Sequence, residues 1–407
     1  MKKILLITSQ FPYGTGEQFL ETELKYYNKE DIKLTIIPSV KSEKCRDISS
    51  NITVDDYLSD NMYKENKLSY LLNSLFKKAF YKEIISNNLF NPIKFKSFIS
   101  SIYHYQMYYE ILDKYLQQLK DRDNLIIYTY WNTEITYALQ SLKSKYNYKI
   151  VSRIHRGDLY KERQPFGYMP LKKQFTNNID TLYTITKSAN SYLEQTYGFP
   201  KDVLRLSRLG VEDNGIVTKQ TDDNQFTIVS CSYVVKVKKI DKIIFALKEL
   251  SKQRNNITFK WLHIGDGFLF KEMQELARKE LSEISNIKYQ LLGQMENRFI
   301  YEFYKNNKID VFVNVSESEG VPVSIMEAMS CHIPVVAPNV GGISDMLIAG
   351  VNGKLLSSEC LIGEVVYALE NIDFFKEEKI RGNSFSIYKE KYDAKNNYSN
   401  FVESLIL

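Results

Sequence analysis

The sequence predicts an α/β protein with two doubly wound parallel sheets. Short apolar runs, each followed by turn residues and a stretch compatible with a helix, recur along the 407 residues. This alternation is typical of parallel strands joined by crossover helices. The pattern occurs on both sides of a polar, glycine-containing stretch at residues 209–224. A chain of this length exceeds what one ordinary hydrophobic core supports, so we expect two domains.

The apolar runs define the predicted strands. They are Ile4–Thr8, Leu34–Pro38, Leu125–Tyr130, Lys149–Ile154 and Thr181–Ile185 before the polar stretch, and Thr227–Cys231, Thr258–Ile264, Val311–Val315 and Pro334–Ala337 after it. We predict a first domain over residues 1–212 and a second over residues 213–385. Residues 386–407 are predicted to form a C-terminal helix that crosses back to the first domain.

The segment at residues 60–120 has no clear strand pattern and is predicted to be a helical insertion in the first domain. Its apolar residues follow the i, i+3, i+4, i+7 spacing of an amphipathic helix. They are Leu68, Leu71, Leu72, Leu75, Phe76, Ala79, Phe80 and Ile84. Residues 61–120 contain nine lysines and four acidic residues. We favour packing of this helix over the first domain. Contact with an anionic membrane is the alternative, because lysines flank an aromatic-rich apolar face.

Composition excludes several other classes of protein. Hydrophobic residues make up 44% and charged residues 25%, as in ordinary globular proteins. The four cysteines form no C-x-x-C pair, which argues against a zinc site and favours a cytoplasmic protein with reduced thiols. No apolar run approaches the roughly 18 residues of a membrane span. The net charge of +5 is modest, and we expect no nucleic-acid partner.

The segment at residues 309–339 carries the strongest functional pattern. A buried strand ends near Val315, a loop leads to Gly320, and a helix is predicted from Pro322 to Ser330. Free N–H groups at such a helix start bind anions, and phosphate is their usual ligand. Glu319 and Glu327 are eight residues apart, so their carboxylates could hold two ends of one extended polar ligand.

Three other turns should reach the same edge of the second sheet, because parallel strands end there together. They contain Gly265-Asp266-Gly267, Lys236 to Lys239, and Gly341-Gly342. Together they offer backbone donors and a cation, which suit a diphosphate.

With these motifs the sequence resembles the retaining glycosyltransferases of family 4. The segment from Glu319 to Glu327 matches that family's Glu-x7-Glu motif. Trp261 to Gly267, Pro334 to Ala337, Gly341-Gly342 and Asn352-Gly353 follow in the expected order. The resemblance implies the GT-B fold, in which two Rossmann-like domains face a cleft.

The resemblance also implies roles for individual residues. Glu319 would act in catalysis at the donor sugar, Glu327 would bind the ribose, and Lys238 would neutralise the diphosphate. The remaining donor-binding positions are Gly16, Gly265, Asp266, Gly267, Gly293, Gly320, Val321, Pro322 and Val323. The family's usual arginine before the lysine is replaced by Tyr233, and Lys236 or Arg208 could substitute.

In the first domain, His155 follows a predicted strand and resembles the family's active-site histidine, which faces the transferred sugar. The alternative is a buried structural histidine, which is our interpretation of His104, His263 and His332. Gly14-Thr15-Gly16-Glu17 resembles the glycine loop after the first strand. Asp121-Arg122-Asp123 has a D-x-D form, but it precedes a strand, so we predict a solvated turn.

The predicted function is transfer of a sugar from a nucleotide-diphosphate sugar to an acceptor hydroxyl, with no resident cofactor and no metal requirement. The acceptor would be a saccharide or a lipid-linked saccharide in bacterial surface polysaccharide or glycoconjugate synthesis. The expected location is the cytoplasm or the inner face of the cell membrane. One alternative is an inactive homologue of the same fold that binds nucleotide sugars as a partner subunit. Another is a different enzyme of this fold, such as an epimerase or phosphorylase.

Overall fold

The computed structural model describes residues 2–14, 16–28, 31–64, 66–87, 89–119 and 122–406. Thr15 and Asp121, which belong to two of the sequence motifs, lie outside the described residues. The chain forms two compact units. The N-terminal unit comprises Met1–Arg208 and Tyr398–Leu407, and the C-terminal unit comprises Leu209–Asn397.

The N-terminal unit contains a parallel sheet in the order β3-β2-β1-β4-β5-β6-β7. The strands are β1 (Lys2–Thr8), β2 (Ile32–Pro38), β3 (Thr53–Val54), β4 (Leu125–Thr129), β5 (Lys149–Ile154), β6 (Thr181–Thr184) and β7 (Leu204–Leu206). The helices are α1 (Phe19–Leu24), α2 (Tyr57–Asn61), α3 (Lys67–Ser74), α4 (Lys78–Ser86), α5 (Pro92–Gln118), α6 (Glu134–Leu142), α7 (Arg156–Leu159) and α8 (Lys187–Tyr197).

Side chains of β1 alternate between two hydrophobic cores, as the period of a strand requires. Leu5 and Ile7 face a core that includes α5 and α6, whereas Ile4 and Leu6 face a core on the other side of the sheet. Phe401 near the C-terminus completes this second core. The sheet is therefore buried on both faces, which explains why its strands read as continuous apolar runs.

The C-terminal unit has a second parallel sheet, in the order β10-β9-β8-β11-β12-β13. Its strands are β8 (Gln225–Cys231), β9 (Thr258–Ile264), β10 (Ile287–Leu291), β11 (Val311–Val313), β12 (Val335–Pro338) and β13 (Gly353–Leu356). Its helices are α9 (Ile240–Gln253), α10 (Phe270–Leu281), α11 (Asn297–Asn306), α12 (Val323–Ser330), α13 (Ile343–Met346), α14 (Ile362–Glu370), α15 (Ile372–Lys376) and α16 (Glu378–Lys391). The predicted pair of doubly wound parallel sheets is thus confirmed.

The prediction of one C-terminal helix over residues 386–407 was wrong. The chain forms α16 and then a separate helix, α17 (Ala394–Ile406). At the break, the N–H of Val211 donates to Tyr392 O and the N–H of Ala394 donates to Val211 O. These bonds draw the backbone away from helical geometry, and no sequence pattern indicated them.

The prediction of a single packed amphipathic helix in the insertion was also wrong. The segment is divided into α3 and α4, with a turn at residues 75–77 between them. Leu68, Leu72 and Phe76, which were expected to face the core, are exposed. The turn reorients the second helix, so the predicted apolar stripe does not lie on one buried face. Of the helices that the structure describes, none has the length and apolar character needed to cross a bilayer.

Candidate active site

The candidate site in the C-terminal unit lies where the strand order of its sheet reverses, between β8 and β11. Open α/β sheets bind ligands beyond the carboxyl ends of strands at such a point. Lys238 lies in a short 3-10 helix after β8, and Glu319 lies in the loop after β11. Lys238 Nζ is 2.5 Å from Glu319 Oε1. Two residues selected from the sequence 81 positions apart are therefore in contact.

Glu319 is almost fully buried, with 6% of its surface exposed. Asn314 Nδ2 donates to Glu319 Oε1 at 3.0 Å, in addition to the ion pair with Lys238. Burial alone would raise the pKa of Glu319, but the charge and hydrogen bond of Lys238 outweigh it and lower the pKa below its usual value. Glu319 is therefore ionised at neutral pH and can accept hydrogen bonds from hydroxyl groups.

The helix that follows Glu319 begins one residue later than predicted. Pro322 has an extended backbone, with φ −73° and ψ 114°, and precedes the first helical residue, Val323. The first bond of the helix runs from Ile325 N–H to Pro322 O. The N–H groups of Val323 and Ser324 come before it, and such groups are available to an anion. Gly320 and Val321 lead the chain into this helix start.

Gly341 supports the backbone of Glu319 from the next loop. Its φ is +59°, and a Cβ at this position would lie 2.0 Å from Glu319 O. The neighbouring Gly342 donates its N–H to Gly320 O at 2.7 Å. A residue with a side chain at Gly341 would displace the loop that carries Glu319, which explains why a glycine is required there.

The turn after β9 packs against the turn after β8. A Cβ on Gly265 would lie 1.9 Å from Ser232 O, and Gly265 N–H donates to Gly293 O. Val234 N–H donates to Asp266 O, while the Asp266 side chain itself is exposed. Gly267 makes a similarly close approach, because its Cβ would lie 2.6 Å from Val234 O. The predicted glycine turn therefore lies at the same edge of the sheet as Lys238.

Glu327 is buried inside the unit, with only 3% of its surface exposed. Its carboxylate accepts a short hydrogen bond from Asn297 Nδ2. Burial raises the pKa of Glu327 to about 7, and the Asn297 hydrogen bond opposes this only in part. Asn297 was not identified from the sequence, where it is one of many asparagines without a motif around it.

In the N-terminal unit, His155 follows β5 and is 7% exposed. Its ring lies 4.7 Å from the rings of both Tyr130 and Trp131. Burial, helped by the charge of Arg153, lowers the pKa of His155 to about 3, so the imidazole is neutral. Within the described residues, His155 Nε2 is buried and has no hydrogen-bond partner. That atom is available to a polar ligand.

A buried polar network supports His155 and was missed in the sequence. Asp158 accepts hydrogen bonds from the N–H of His155 and the N–H of Asn132, both at 2.7 Å. Burial raises the pKa of Asp158 to about 6, although the charge of Lys172 opposes the shift. Lys172 Nζ donates to both oxygens of Asn132. Only the fold brings Asp158, Asn132 and Lys172 together.

A cavity of about 480 Å³ opens beside this network. Its polar lining includes Ser97, Ser100, Asn132, Glu134 and Asp158. Asn132 Nδ2 is buried and has no partner among the described residues. Hydroxyl, amide and carboxylate groups of this kind can form hydrogen bonds with the hydroxyl groups of a saccharide, and Ile93, Met169 and Pro170 add apolar surface to the lining.

The predicted glycine loop is held by Glu17 of the motif itself and by Arg46, which the sequence did not point to. Arg46 Nη2 donates to Gly16 O at 2.7 Å and to Gly14 O at 2.9 Å. Glu17 accepts hydrogen bonds from the N–H groups of Ser9, Gln10 and Phe11 and from Trp131 Nε1. The loop is therefore fixed to the carboxyl end of β1.

The structure also shows where Tyr233, which replaces the family's usual arginine, and its two candidate substitutes lie. Tyr233 is exposed, Lys236 is exposed nearby in the chain, and Arg208 belongs to the N-terminal unit. His332, which we interpreted as a structural histidine, has a φ of +62°, and its ring stacks on Phe385. Across the described parts of the chain, no group of three His, Cys, Asp or Glu side chains is arranged to hold a metal ion.

Comparison with known sequences identifies the C-terminal unit. Residues 213–372 match the family described as Glycosyl transferases group 1. An uncharacterized glycosyltransferase of Methanocaldococcus jannaschii, MJ1178, is 27% identical over 53% of this chain and 56% of its own length. The O-antigen biosynthesis glycosyltransferase WbnH of Escherichia coli is 30% identical over 36% of this chain and 38% of its own length. The chain thus spans between about two fifths and just over half of these relatives.

Solved structures share the fold over the whole chain. The lipopolysaccharide outer core galactosyltransferase WaaB has a TM-score of 0.70 at 14% identity and covers 99% of both chains. HepE of Anabaena, crystallised with UDP, has a TM-score of 0.65 at 14% identity and covers 100% of this chain and 99% of its own. Residues 213–372 therefore match the glycosyl transferases group 1 family, and the chain as a whole has the GT-B fold.

Proposed function

We propose that the protein is a retaining glycosyltransferase that moves a sugar from a nucleotide-diphosphate sugar to an acceptor hydroxyl. The observation that carries the proposal is the contact between Lys238 and Glu319 at the strand reversal of the C-terminal sheet. The N-terminus of α12 lies directly beyond Glu319 in the chain. A cation and a helix start suit a diphosphate, and the adjacent carboxylate suits sugar hydroxyls.

In the proposed reaction, the bond between the anomeric carbon and the diphosphate oxygen breaks as a bond to the acceptor oxygen forms. The acceptor hydroxyl passes its proton to the departing diphosphate oxygen, and the nucleoside diphosphate leaves. Lys238 and the free N–H groups at Val323 and Ser324 would stabilise the negative charge that develops on the leaving group. Glu319 would orient the donor sugar, and Glu327 would bind the ribose. Retention of the anomeric configuration is inferred from the family 4 resemblance.

We propose that the acceptor saccharide binds in the cavity beside Asp158, with His155 Nε2 bonded to the transferred sugar. Asn132 Nδ2 and Asp158 would serve as the donor and acceptor of hydrogen bonds to the acceptor hydroxyls. A role in bacterial surface polysaccharide synthesis is supported by the similarity to WbnH, a glycosyltransferase of O-antigen biosynthesis. No metal or resident cofactor is assigned a step.

Thermal unfolding with nucleotides tests the donor site first. UDP, GDP, ADP and their sugar conjugates are compared, and UDP is the leading candidate because HepE was crystallised with it. A ligand at about 100 times its Kd should stabilise the protein by roughly 2.7 kcal/mol. Glu327→Ala should lose this response, whereas Glu296→Ala, which removes an exposed carboxylate beside Asn297, should retain it.

Product analysis then separates the remaining alternatives. An enzyme should form a glycoside from the stabilising donor and a supplied saccharide, with the anomeric configuration of the donor. Nucleotide binding without any product would favour an inactive partner subunit, and an isomerised donor sugar would favour an epimerase. No stabilisation by any sugar nucleotide at saturation would overturn the proposal.

A further inference from the structure

The outer surface of the insertion is apolar to an extent unusual for a monomeric protein. We define this surface by the exposed side chains of Leu68, Leu72, Leu75, Phe76, Tyr81, Ile84, Ile85, Phe90, Ile93 and Phe95. Phe76, Ile85 and Phe90 are 87%, 84% and 95% exposed. These ten residues are nearly half of the 22 large hydrophobic residues exposed in the described chain. Large exposed apolar patches mark contacts with proteins or membranes.

Helix α4 shows that this exposure is built into the fold. The residue of α4 that faces the protein most closely is Glu83, which is 3% exposed. Its carboxylate accepts hydrogen bonds from Tyr168 Oη, Gln174 Nε2 and Asn87 Nδ2. The neighbouring Ile84 and Ile85 consequently point to solvent. A helix that only covered the domain would have the opposite polarity, with its isoleucines inside.

The charged residues between positions 66 and 100 are lysines with a single exception. Residues 66–100 contain the six lysines Lys67, Lys77, Lys78, Lys82, Lys94 and Lys96. The one acidic residue in that span is Glu83, whose carboxylate is turned inward. Lysines that border aromatic and aliphatic side chains are complementary to anionic lipid headgroups above an acyl layer. A second copy of the chain would instead bring like charges together.

The same surface reaches the cavity of the N-terminal unit. Ile93, which belongs to the outer surface, and the exposed Lys96 both lie at the start of α5 and line the cavity. We propose that the outer surface of the insertion docks the protein on an anionic lipid bilayer. Docking there would bring the cavity close to lipid-anchored saccharides. This consequence rests on the proposed transferase function, whereas the docking itself does not.

Sedimentation of the full chain with lipid vesicles tests the proposal. The protein should bind vesicles of phosphatidylcholine and phosphatidylglycerol and should not bind vesicles of phosphatidylcholine alone. Replacing three lysines, as in Lys78→Gln/Lys82→Gln/Lys96→Gln, should weaken binding roughly a hundredfold. The variant Phe76→Ser/Ile85→Ser/Phe90→Ser should weaken it at least tenfold. A matched control, Phe268→Ser/Tyr367→Ser, removes two exposed aromatic residues of the C-terminal unit and should bind as the wild type does.

The proposal is overturned if the wild type ignores anionic vesicles or if neither triple variant weakens binding. It is also overturned if light scattering shows a dimer that the apolar triple variant disperses, since the surface would then be an interface between copies. Stabilisation by UDP is measured on the same variants. It should remain unchanged, which keeps a failure of membrane docking distinct from a failure of the donor site.

Discussion

The two sheets each have a buried glutamate, Glu17 and Glu319, beside the point where the strand order reverses. The two glutamates have different roles. In each unit the strand order reverses between the first strand and a later neighbour. Glu17 joins the ends of β1 and β4 through Trp131, and Glu319 joins the ends of β11 and β8 through Lys238. Both carboxylates lie at the place where open α/β sheets bind ligands.

Their partners differ in kind. Glu17 accepts three backbone N–H bonds and one indole N–H bond, so its oxygens are occupied by groups that build the loop. Glu319 is held by a lysine ammonium and a side-chain amide. Side chains can exchange these bonds for bonds to a ligand, whereas backbone N–H groups of a packed loop cannot move as readily. We infer that Glu17 maintains structure and that Glu319 binds substrate.

Replacement of Lys238 should have the largest effect on kcat. It tests the proposal that Lys238 and Glu319 bind the donor. Lys238→Met removes the cation proposed to stabilise the departing diphosphate, so kcat should fall about 100- to 1000-fold. Lys238→Arg should recover part of the rate because it keeps the charge. Lys252→Met is a suitable control, since Lys252 is on α9 in an exposed pair with Glu249. Steady-state kinetics with a saturating donor provide the measurement, and a kcat within threefold of wild type would contradict the assignment.

Replacement of Glu17 tests the N-terminal side. Glu17→Gln substitutes an amide N–H for one acceptor oxygen and leaves at least one loop N–H without a partner. The free energy of unfolding should fall by about 2 kcal/mol. Glu21→Gln, which alters an exposed surface pair with Arg46, should change it by less than about 0.5 kcal/mol.

Chemical denaturation of the two variants gives these values. Stabilisation by UDP should persist in Glu17→Gln, because the proposed diphosphate and ribose contacts, Lys238 and Glu327, lie in the other unit. If the variant keeps its stability but loses the nucleotide response, Glu17 binds substrate and the contrast between the two glutamates is wrong.

The C-terminal unit was more predictable than the N-terminal unit for physical reasons. The residues around Glu319 form a local motif, in which a buried strand, a glycine loop and a helix start follow one another within some twenty residues. Lys238 could be added because parallel strands end at one edge. Asn297, Arg46 and Lys172 reach their sites from distant elements and have no local pattern, so only the fold reveals them.

The prediction for the insertion was wrong for a different reason. The spacing of Leu68, Leu71 and Leu72 fits a helix, and helices form there. Apolar spacing predicts that one face of a helix is apolar. Whether that face is buried or exposed depends on the residues that pack against the helix. Glu83 fills that position through bonds to Tyr168 and Gln174, which are some 85 to 91 residues away in sequence. The strands β3, β7, β10 and β13 were missed because they are short or lie near sheet edges, where a continuous apolar run is not required.

Replacement of His155 should have the smallest effect on kcat of the changes considered. It tests whether His155 titrates during catalysis. Burial lowers the pKa of His155 to about 3, so the imidazole is neutral from pH 5 to 9 and can supply only a hydrogen bond. His155→Gln should therefore reduce kcat by about tenfold, the equivalent of one such bond. The shape of the pH–rate profile should not change. Any acid limb near pH 6 should persist, because Asp158, whose pKa is raised to about 6, remains in place.

The stability of the same variant gives an independent check with a defined sign. The folded pKa of His155 lies below its unfolded value of about 6.5, so the unfolded chain binds the additional proton as pH falls. Wild-type stability should therefore contain a loss that begins below pH 6.5 and continues toward pH 3, and His155→Gln should lack it. Urea denaturation of both proteins at pH 7 and pH 5 measures this difference. An equal loss in the two proteins, together with the disappearance of an acid limb in the variant, would mean that His155 is protonated in its ordinary range and is itself a titrating catalytic group.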